Sequence, residues 1–124
     1  MGALQARVVG IILSFLIIFL SGFWLSHAGK PYGGVAGFIH KIISLAAVIL
    51  LISLAVHAHH AARLSGVEWA VCVLALLLFI AAIASGSMVM ADVSVQPARV
   101  AHRVAPYLVF LASVAVIWLL RRGR

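Results

Sequence analysis

The chain alternates between long apolar stretches and short polar connections, and this pattern predicts the fold. Of its 124 residues, 66% are apolar. Spanning a hydrocarbon core takes roughly 20 apolar residues, and four such stretches predict helices at residues 7–27, 35–58, 67–90 and 97–120. Stretches without alternating polarity favour helices over barrel strands, because a helix satisfies its own backbone groups in lipid. The sequence predicts an all-α integral membrane protein with one transmembrane domain over residues 1–124.

The connections between the predicted helices are short, which restricts how the helices can be arranged. Short connections make consecutive helices antiparallel neighbours, so we expect an up-down four-helix bundle. The bundle then consists of two helical hairpins with the same orientation, related by an axis along the membrane normal. The second and fourth helices run parallel on one diagonal of such a bundle.

An internal repeat distinguishes these hairpins from generic apolar helices. Each half contains Ser-Gly near the end of its first helix and His-basic-β-branched near the start of its second. Seventeen residues separate Gly22 from His40, and fifteen separate Gly86 from His102, so one two-residue gap aligns the halves. The matched residues are Ser21, Gly22, His40, Lys41 and Ile42 in the first half and Ser85, Gly86, His102, Arg103 and Val104 in the second.

The repeated histidines suggest a cofactor. In the predicted bundle His40 and His102 face each other at one depth, near the outer face of the membrane. Two opposed imidazoles can supply both axial ligands of a haem b, and Gly22 and Gly86 would let the edge of the flat ring approach the backbone. We therefore predict one haem b with His40 and His102 as its iron ligands.

The cations that follow the two histidines fit the same hypothesis. Lys41 and Arg103 lie toward the aqueous boundary, where long basic side chains can reach the interface. Haem carries two propionate groups, and a haem whose acidic edge pointed outward would place them beside these cations. We therefore predict that Lys41 and Arg103 contact the propionates.

With His40, His102, the two Ser-Gly pairs and four predicted helices, the chain resembles the four-helix transmembrane b-type cytochromes. This group includes the cytochrome b561-like electron carriers. The resemblance covers the whole chain as architecture. Members with two haems place four histidines in two layers, whereas His57 has no partner histidine at its depth here, which again indicates one haem. The resemblance implies electron exchange with a quinone or a partner redox protein. A single haem near one face also implies a partner redox subunit or a homo-oligomer for transmembrane transfer.

The basic residues lie at helix ends, where phospholipid headgroups account for them, and we expect no nucleic-acid partner. By the positive-inside rule the termini are cytoplasmic and the chain lies in the cell (inner) membrane, by a narrow margin. The two sets of basic residues are Arg7, Arg63, Arg121, Arg122 and Arg124 on the side of the termini, and Lys30, Lys41, Arg99 and Arg103 on the other.

Other hypotheses compete with the electron carrier. The chain can be a cofactorless accessory subunit of a larger membrane complex, with its histidines as polar packing. It can also be a copper-handling protein that uses Met88, Met90 and the histidines. Alternatively, the first segment is a cleaved signal peptide, which would leave three helices and destroy the repeat.

The remaining polar residues have simpler interpretations. His57, His59 and His60 have a spacing that can bind a transition metal, but a headgroup-facing loop start is the simpler explanation. Glu68 begins the third helix, which argues against a proton-coupled exporter that needs a mid-membrane carboxylate. Neither a nucleophile with its base nor paired carboxylates occur, so an electron carrier or redox-complex subunit is favoured over a stand-alone enzyme.

Overall fold

A computed structural model describes residues 2–29, 34–90 and 96–122 of the chain. These residues form four α-helices and no strands. The helices are α1 (Ala3–Ala28), α2 (Gly34–Ala61), α3 (Gly66–Met90) and α4 (Gln96–Arg122). All four are long and apolar enough to cross a membrane. The predicted all-α architecture of an integral membrane protein with four helices is therefore confirmed.

The helices extend beyond the apolar stretches that predicted them. α1 begins at Ala3 rather than residue 7, and α4 continues to Arg122 rather than residue 120. The sequence prediction used the hydrocarbon thickness, but helical hydrogen bonding does not stop at the hydrocarbon boundary. Side chains such as Arg7, Arg121 and Arg122 can reach the headgroups while their backbone remains helical.

Local hydrogen bonds explain where α2 ends and α3 begins. The backbone N–H of Leu64 donates to His59 Nδ1 at 3.2 Å, so the His59 ring holds the connection that follows α2. At the start of α3, Glu68 N–H donates to Ser65 Oγ at 3.2 Å and Ser65 N–H donates to Glu68 Oε2 at 2.8 Å. This reciprocal pair is a capping box. It accounts for Glu68 at the helix start, as the sequence predicted.

The chain divides into two compact units, Met1–Leu54 and Ala55–Arg124. In the first unit α1 lies antiparallel to α2. Arg7 Nε donates to Ser53 Oγ near one end of the pair, and Ser21 contacts His40 near the other. Between these contacts, the Cβ position of Gly10 lies 3.2 Å from a methyl group of Leu50. In the first hairpin, defined as α1 with α2 up to Leu54, the two helices therefore stay in contact along their length.

In the second unit α3 and α4 form the second hairpin. Both helices bury mainly small residues at helical spacing, with Phe79 the one large buried side chain among the described residues of α3, as expected for two helices in close contact. The ring of His59, at the end of α2, lies 5.3 Å from the ring of Trp69 in α3. The buried residues of α4 are Ala98, Ala105, Val109, Ser113, Val116 and Leu120.

Large apolar side chains are exposed on all four helices, which is expected for a protein surrounded by lipid. Leu20, Leu77 and Leu111 are each more than half exposed. The exposed rings of Trp24 and Trp118 lie toward helix ends, as an interfacial aromatic belt requires. The chain is therefore an integral membrane protein.

The prediction of a single transmembrane domain remains a prediction. Two residues named in the sequence analysis, Lys30 and Arg124, lie outside the described residues.

Candidate functional site

The first candidate histidine, His40, lies in the second turn of α2 and contacts α1. Its Nδ1 is 2.9 Å from Ser21 Oγ, and the hydroxyl of Ser21 also donates to the carbonyl of Ile18 at 3.1 Å. A serine hydroxyl has one hydrogen, so with that hydrogen on Ile18 the oxygen accepts from His40. Nδ1 of His40 then carries the proton, and the lone pair of the imidazole is on Nε2.

The second candidate histidine, His102, lies in the second turn of α4 and contacts α3. Its Nδ1 is 3.0 Å from the carbonyl oxygen of Ala82 and 3.4 Å from Ser85 Oγ. A carbonyl can only accept a hydrogen bond, so Nδ1 of His102 is the donor. The lone pair of His102 is therefore on Nε2, as it is in His40 when Ser21 donates to Ile18.

The serines of the two Ser-Gly pairs are buried and make equivalent hydrogen bonds. Ser21 is 4% exposed and Ser85 is 7% exposed. Each donates at 3.1 Å to the carbonyl three residues earlier in its own helix, which belongs to Ile18 in the first hairpin and to Ala82 in the second. The sequence repeat thus corresponds to a repeated three-dimensional arrangement in each hairpin.

The glycines of the repeat face the same imidazoles. A Cβ atom added to Gly22 would lie 3.3 Å from His40 Cε1, and one added to Gly86 would lie 2.7 Å from His102 Cε1. We predicted that these glycines admit the edge of a haem. In the structure, the ring against each glycine is the histidine of its own hairpin. Gly22 and Gly86 leave room for the histidine rings, and their contact with a porphyrin remains a prediction.

The cations after each histidine are exposed. Lys41 and Arg103 lie one residue beyond His40 and His102, and both side chains are accessible at the surface of their hairpins. Their exposure is compatible with propionate contact and equally with lipid headgroups. The propionate assignment therefore remains a prediction.

The histidine cluster at the end of α2 behaves differently from the repeated pair. His59 binds the N–H of Leu64, as described above, and His60 is exposed. Among the described residues, no group of three His, Cys, Asp or Glu side chains could hold a metal ion. The interfacial and transition-metal interpretations of these histidines both remain hypotheses. His27 is likewise exposed, with Nδ1 2.9 Å from the carbonyl oxygen of Phe23.

Sequence reasoning identified the repeat but missed the contact that gives it chemical meaning. The Ser-Gly pairs were interpreted as notches for a cofactor, whereas Ser21 and Ser85 lie within hydrogen-bonding distance of the histidine rings. The Ala82 carbonyl could not have been found from the sequence, because every residue has such a group. His40 belongs to one unit and His102 to the other, and their binding of a common haem remains a prediction.

Comparison with protein-family models, with known proteins and with solved structures gave no match. The resemblance to four-helix b-type cytochromes accordingly rests on the residues of this chain alone.

Proposed function

We propose that this protein is a membrane electron carrier in which His40 and His102 provide the two axial ligands of one haem b. The observation that carries the proposal is the repeated orientation of the two imidazoles. In each hairpin Nδ1 lies against an oxygen of the preceding helix that can accept its proton, and this arrangement would leave the lone pair on Nε2. Histidines that bind metals almost always donate their other ring nitrogen in this way.

The chemistry of the residues fits a b-type haem. A bis-imidazole haem undergoes one-electron oxidation and reduction without changing its ligands. The hydrogen bonds to Ser21 and to the Ala82 carbonyl hold the rings and increase the electron density on Nε2. Glycine at positions 22 and 86 allows each imidazole to approach the neighbouring helix closely. These features would hold each imidazole in place with its Nε2 available to a haem iron.

The cations extend the proposal to the haem propionates. Lys41 and Arg103 each follow a ligand histidine and are exposed. Charge-assisted hydrogen bonds from these side chains would stabilise two carboxylates at the membrane surface. Such pairing would also orient the haem with its acidic edge toward water.

The redox partners follow from the depth of the histidines. Each lies in the second turn of its helix, at the end of a span that the predicted topology assigns to the outer face of the membrane. We propose that electrons are exchanged with a quinone or with a partner redox subunit, because one haem near one face does not span the bilayer. The charge distribution favours the cell (inner) membrane with both termini cytoplasmic. A homo-oligomer is a further arrangement that would supply a second haem.

A visible spectrum of the purified protein tests this function. Protein produced in haem-replete cells should show a sharp α-band in the reduced-minus-oxidised difference spectrum, because two imidazoles give low-spin iron. A control spectrum from membranes without the expressed chain removes the contribution of other cytochromes. Colourless protein would contradict the proposal and favour the cofactorless accessory subunit, in which the Ser-His contacts are polar packing between helices.

A further inference from the structure

Arg7 is a partly buried cation at the opposite end of the first hairpin from His40. Its Nε donates to Ser53 Oγ on α2 at 2.8 Å, and its Nη1 donates to the carbonyl oxygen of Ala3 at 3.1 Å. The side chain therefore bridges two helices instead of extending freely into solvent. Both described acceptors are neutral oxygens, so neither balances the charge of the guanidinium.

The surroundings of Arg7 within its unit add no negative charge. The first turn of α1 contains no acidic residue, and the amino end of a helix carries a partial positive charge. Arg7 directs Nη1 toward this end of α1, since it bonds Ala3. The positive charge of Arg7 thus lies close to the partial positive charge at the amino end of α1, which is unfavourable. The whole chain has nine Lys and Arg but two Asp and Glu, so most of its cations need counter-charge from outside the protein.

We infer that Arg7 and Ser53 form a binding site for the phosphate of an anionic phospholipid, in the leaflet at the amino end of α1. Two hydrogen bonds fix the plane of the guanidinium and occupy two of its five N–H donors. The remaining donors lie on Nη1 and Nη2, in the fork geometry that binds two phosphate oxygens. A partly buried position near the end of a hydrophobic helix places this fork at the depth of lipid headgroups.

A lipid is favoured over a soluble anion by the position of the site. The apolar faces of α1 and α2 are exposed beside it, with Val9, Ile12 and Ile52 each more than two-fifths exposed. A phospholipid would place its acyl chains against these side chains while its phosphate contacts Arg7. Inorganic phosphate offers the same oxygens without the apolar contact.

The test measures lipid selectivity of the full-length protein in detergent micelles doped with phosphatidylglycerol or phosphatidylcholine. Native mass spectrometry should detect bound phosphatidylglycerol in preference to phosphatidylcholine. Arg7→Gln should reduce the phosphatidylglycerol affinity about fivefold, the effect expected for one cation near an anionic surface. Arg63→Gln, which removes an equal charge from an exposed side chain, is the matched control and should have a smaller effect.

Two further variants separate an oriented site from general charge attraction. Arg7→Lys keeps the charge but removes the fork, and Ser53→Ala keeps the arginine but removes the acceptor that orients it. Both should weaken the phosphatidylglycerol preference. Equal losses in Arg7→Gln and Arg63→Gln, or full binding by Arg7→Lys, would overturn the inference. Displacement of the lipid by an equal concentration of inorganic phosphate would also overturn it. None of these results depends on whether haem is bound.

Discussion

The two hairpins place the same residues against each other but hold their histidines by different means. In the first hairpin, Ser21 Oγ is 2.9 Å from His40 Nδ1. In the second, the Ala82 carbonyl is 3.0 Å from His102 Nδ1 and the serine is 3.4 Å away. A repeat can thus keep the orientation of a side chain while the partner atom changes from a hydroxyl to a backbone carbonyl.

The hairpins also differ in how closely the imidazole approaches its glycine. The Cβ position of Gly86 is 2.7 Å from the ring of His102, and that of Gly22 is 3.3 Å from the ring of His40. The shorter distance belongs to the hairpin with two fewer residues between its glycine and histidine. The position of the His102 ring therefore depends more strongly on glycine, and the position of the His40 ring depends more strongly on serine.

A third difference occurs four residues after each histidine. Ser44 Oγ donates to the carbonyl oxygen of His40 at 2.6 Å, which adds a side-chain hydrogen bond to this turn of α2. The matching position in α4 is Pro106, which has no N–H to donate to the carbonyl of His102. Backbone support around the candidate ligand is therefore greater in the first hairpin.

The largest expected effect is loss of the haem. His40→Ala and His102→Ala should each abolish stoichiometric low-spin haem, since each variant removes one of two axial ligands. The reduced-minus-oxidised spectrum of the purified variants measures this loss. His60→Ala removes an exposed histidine from α2 and should leave the α-band intact. His57→Ala and His59→Ala should leave it intact as well. A bleached His60→Ala protein with unaffected His40→Ala and His102→Ala would show that the ligand assignment is wrong.

Substitution of the glycines should have the next largest effect and should distinguish the two hairpins. Gly86→Ala introduces a methyl group that must displace His102, and inserting a methyl group into a packed contact typically costs 1–3 kcal/mol. We expect a lower thermal midpoint and a reduced α-band for Gly86→Ala. Gly22→Ala requires a shift of only a few tenths of an ångström and should keep most of its haem. A stronger effect of Gly22→Ala in the same melting and spectral measurements would reverse the comparison.

These glycines illustrate what the sequence could and could not predict. Apolar length predicted the four helices, because the bilayer fixes how many residues a span needs. The repeat predicted that His40 and His102 occupy equivalent places, and the structure shows equivalent contacts within each hairpin. The object facing each glycine could not be predicted. A glycine provides space without specifying what fills it, and only the helix register shows that an imidazole does.

The contacts that individual side chains make with nearby backbone or with the next helix were equally difficult to predict. His59 was grouped with His57 and His60 by spacing, but the structure uses its ring to bind the backbone of Leu64. Arg7 was counted as a headgroup-facing charge, and the sequence did not show that its Nε also contacts Ser53 on the next helix. Both contacts depend on helix packing and loop geometry, which hydrophobic periodicity does not encode.

The serines should affect the midpoint potential by a moderate amount. Ser21→Ala removes the hydroxyl nearest to His40 Nδ1, and a net hydrogen bond contributes about 0.5–1.5 kcal/mol. Removing the bond lowers the electron density on the ligand and favours the reduced haem. Only the part of this bond energy that differs between the two oxidation states changes the midpoint potential, which at ~59 mV per tenfold change should rise by at most about 65 mV. Ser85→Ala should change it less, because the Ala82 carbonyl remains. Redox titrations that gave equal shifts would contradict this difference between the hairpins.

The cations should produce the smallest shifts. Lys41→Gln and Arg103→Gln remove positive charge beside the electron acceptor, so each should lower the midpoint potential while preserving the α-band. An exposed ion pair contributes about 0.2–1 kcal/mol, which corresponds to roughly 10–40 mV for a one-electron couple. Redox titration of the single and double variants can resolve this range. Unchanged potentials in both would indicate that Lys41 and Arg103 face headgroups instead of propionates.

The central claim is that His40 and His102 of one chain bind one haem, and titration of haem-free protein with haem tests it most directly. The low-spin absorption should increase linearly and saturate at about one haem per chain, since each haem uses one histidine from each hairpin. Protein that shows no saturable low-spin absorption would contradict the claim. Saturation at one haem per two chains would contradict it in a different way, because the two ligands would then come from separate chains.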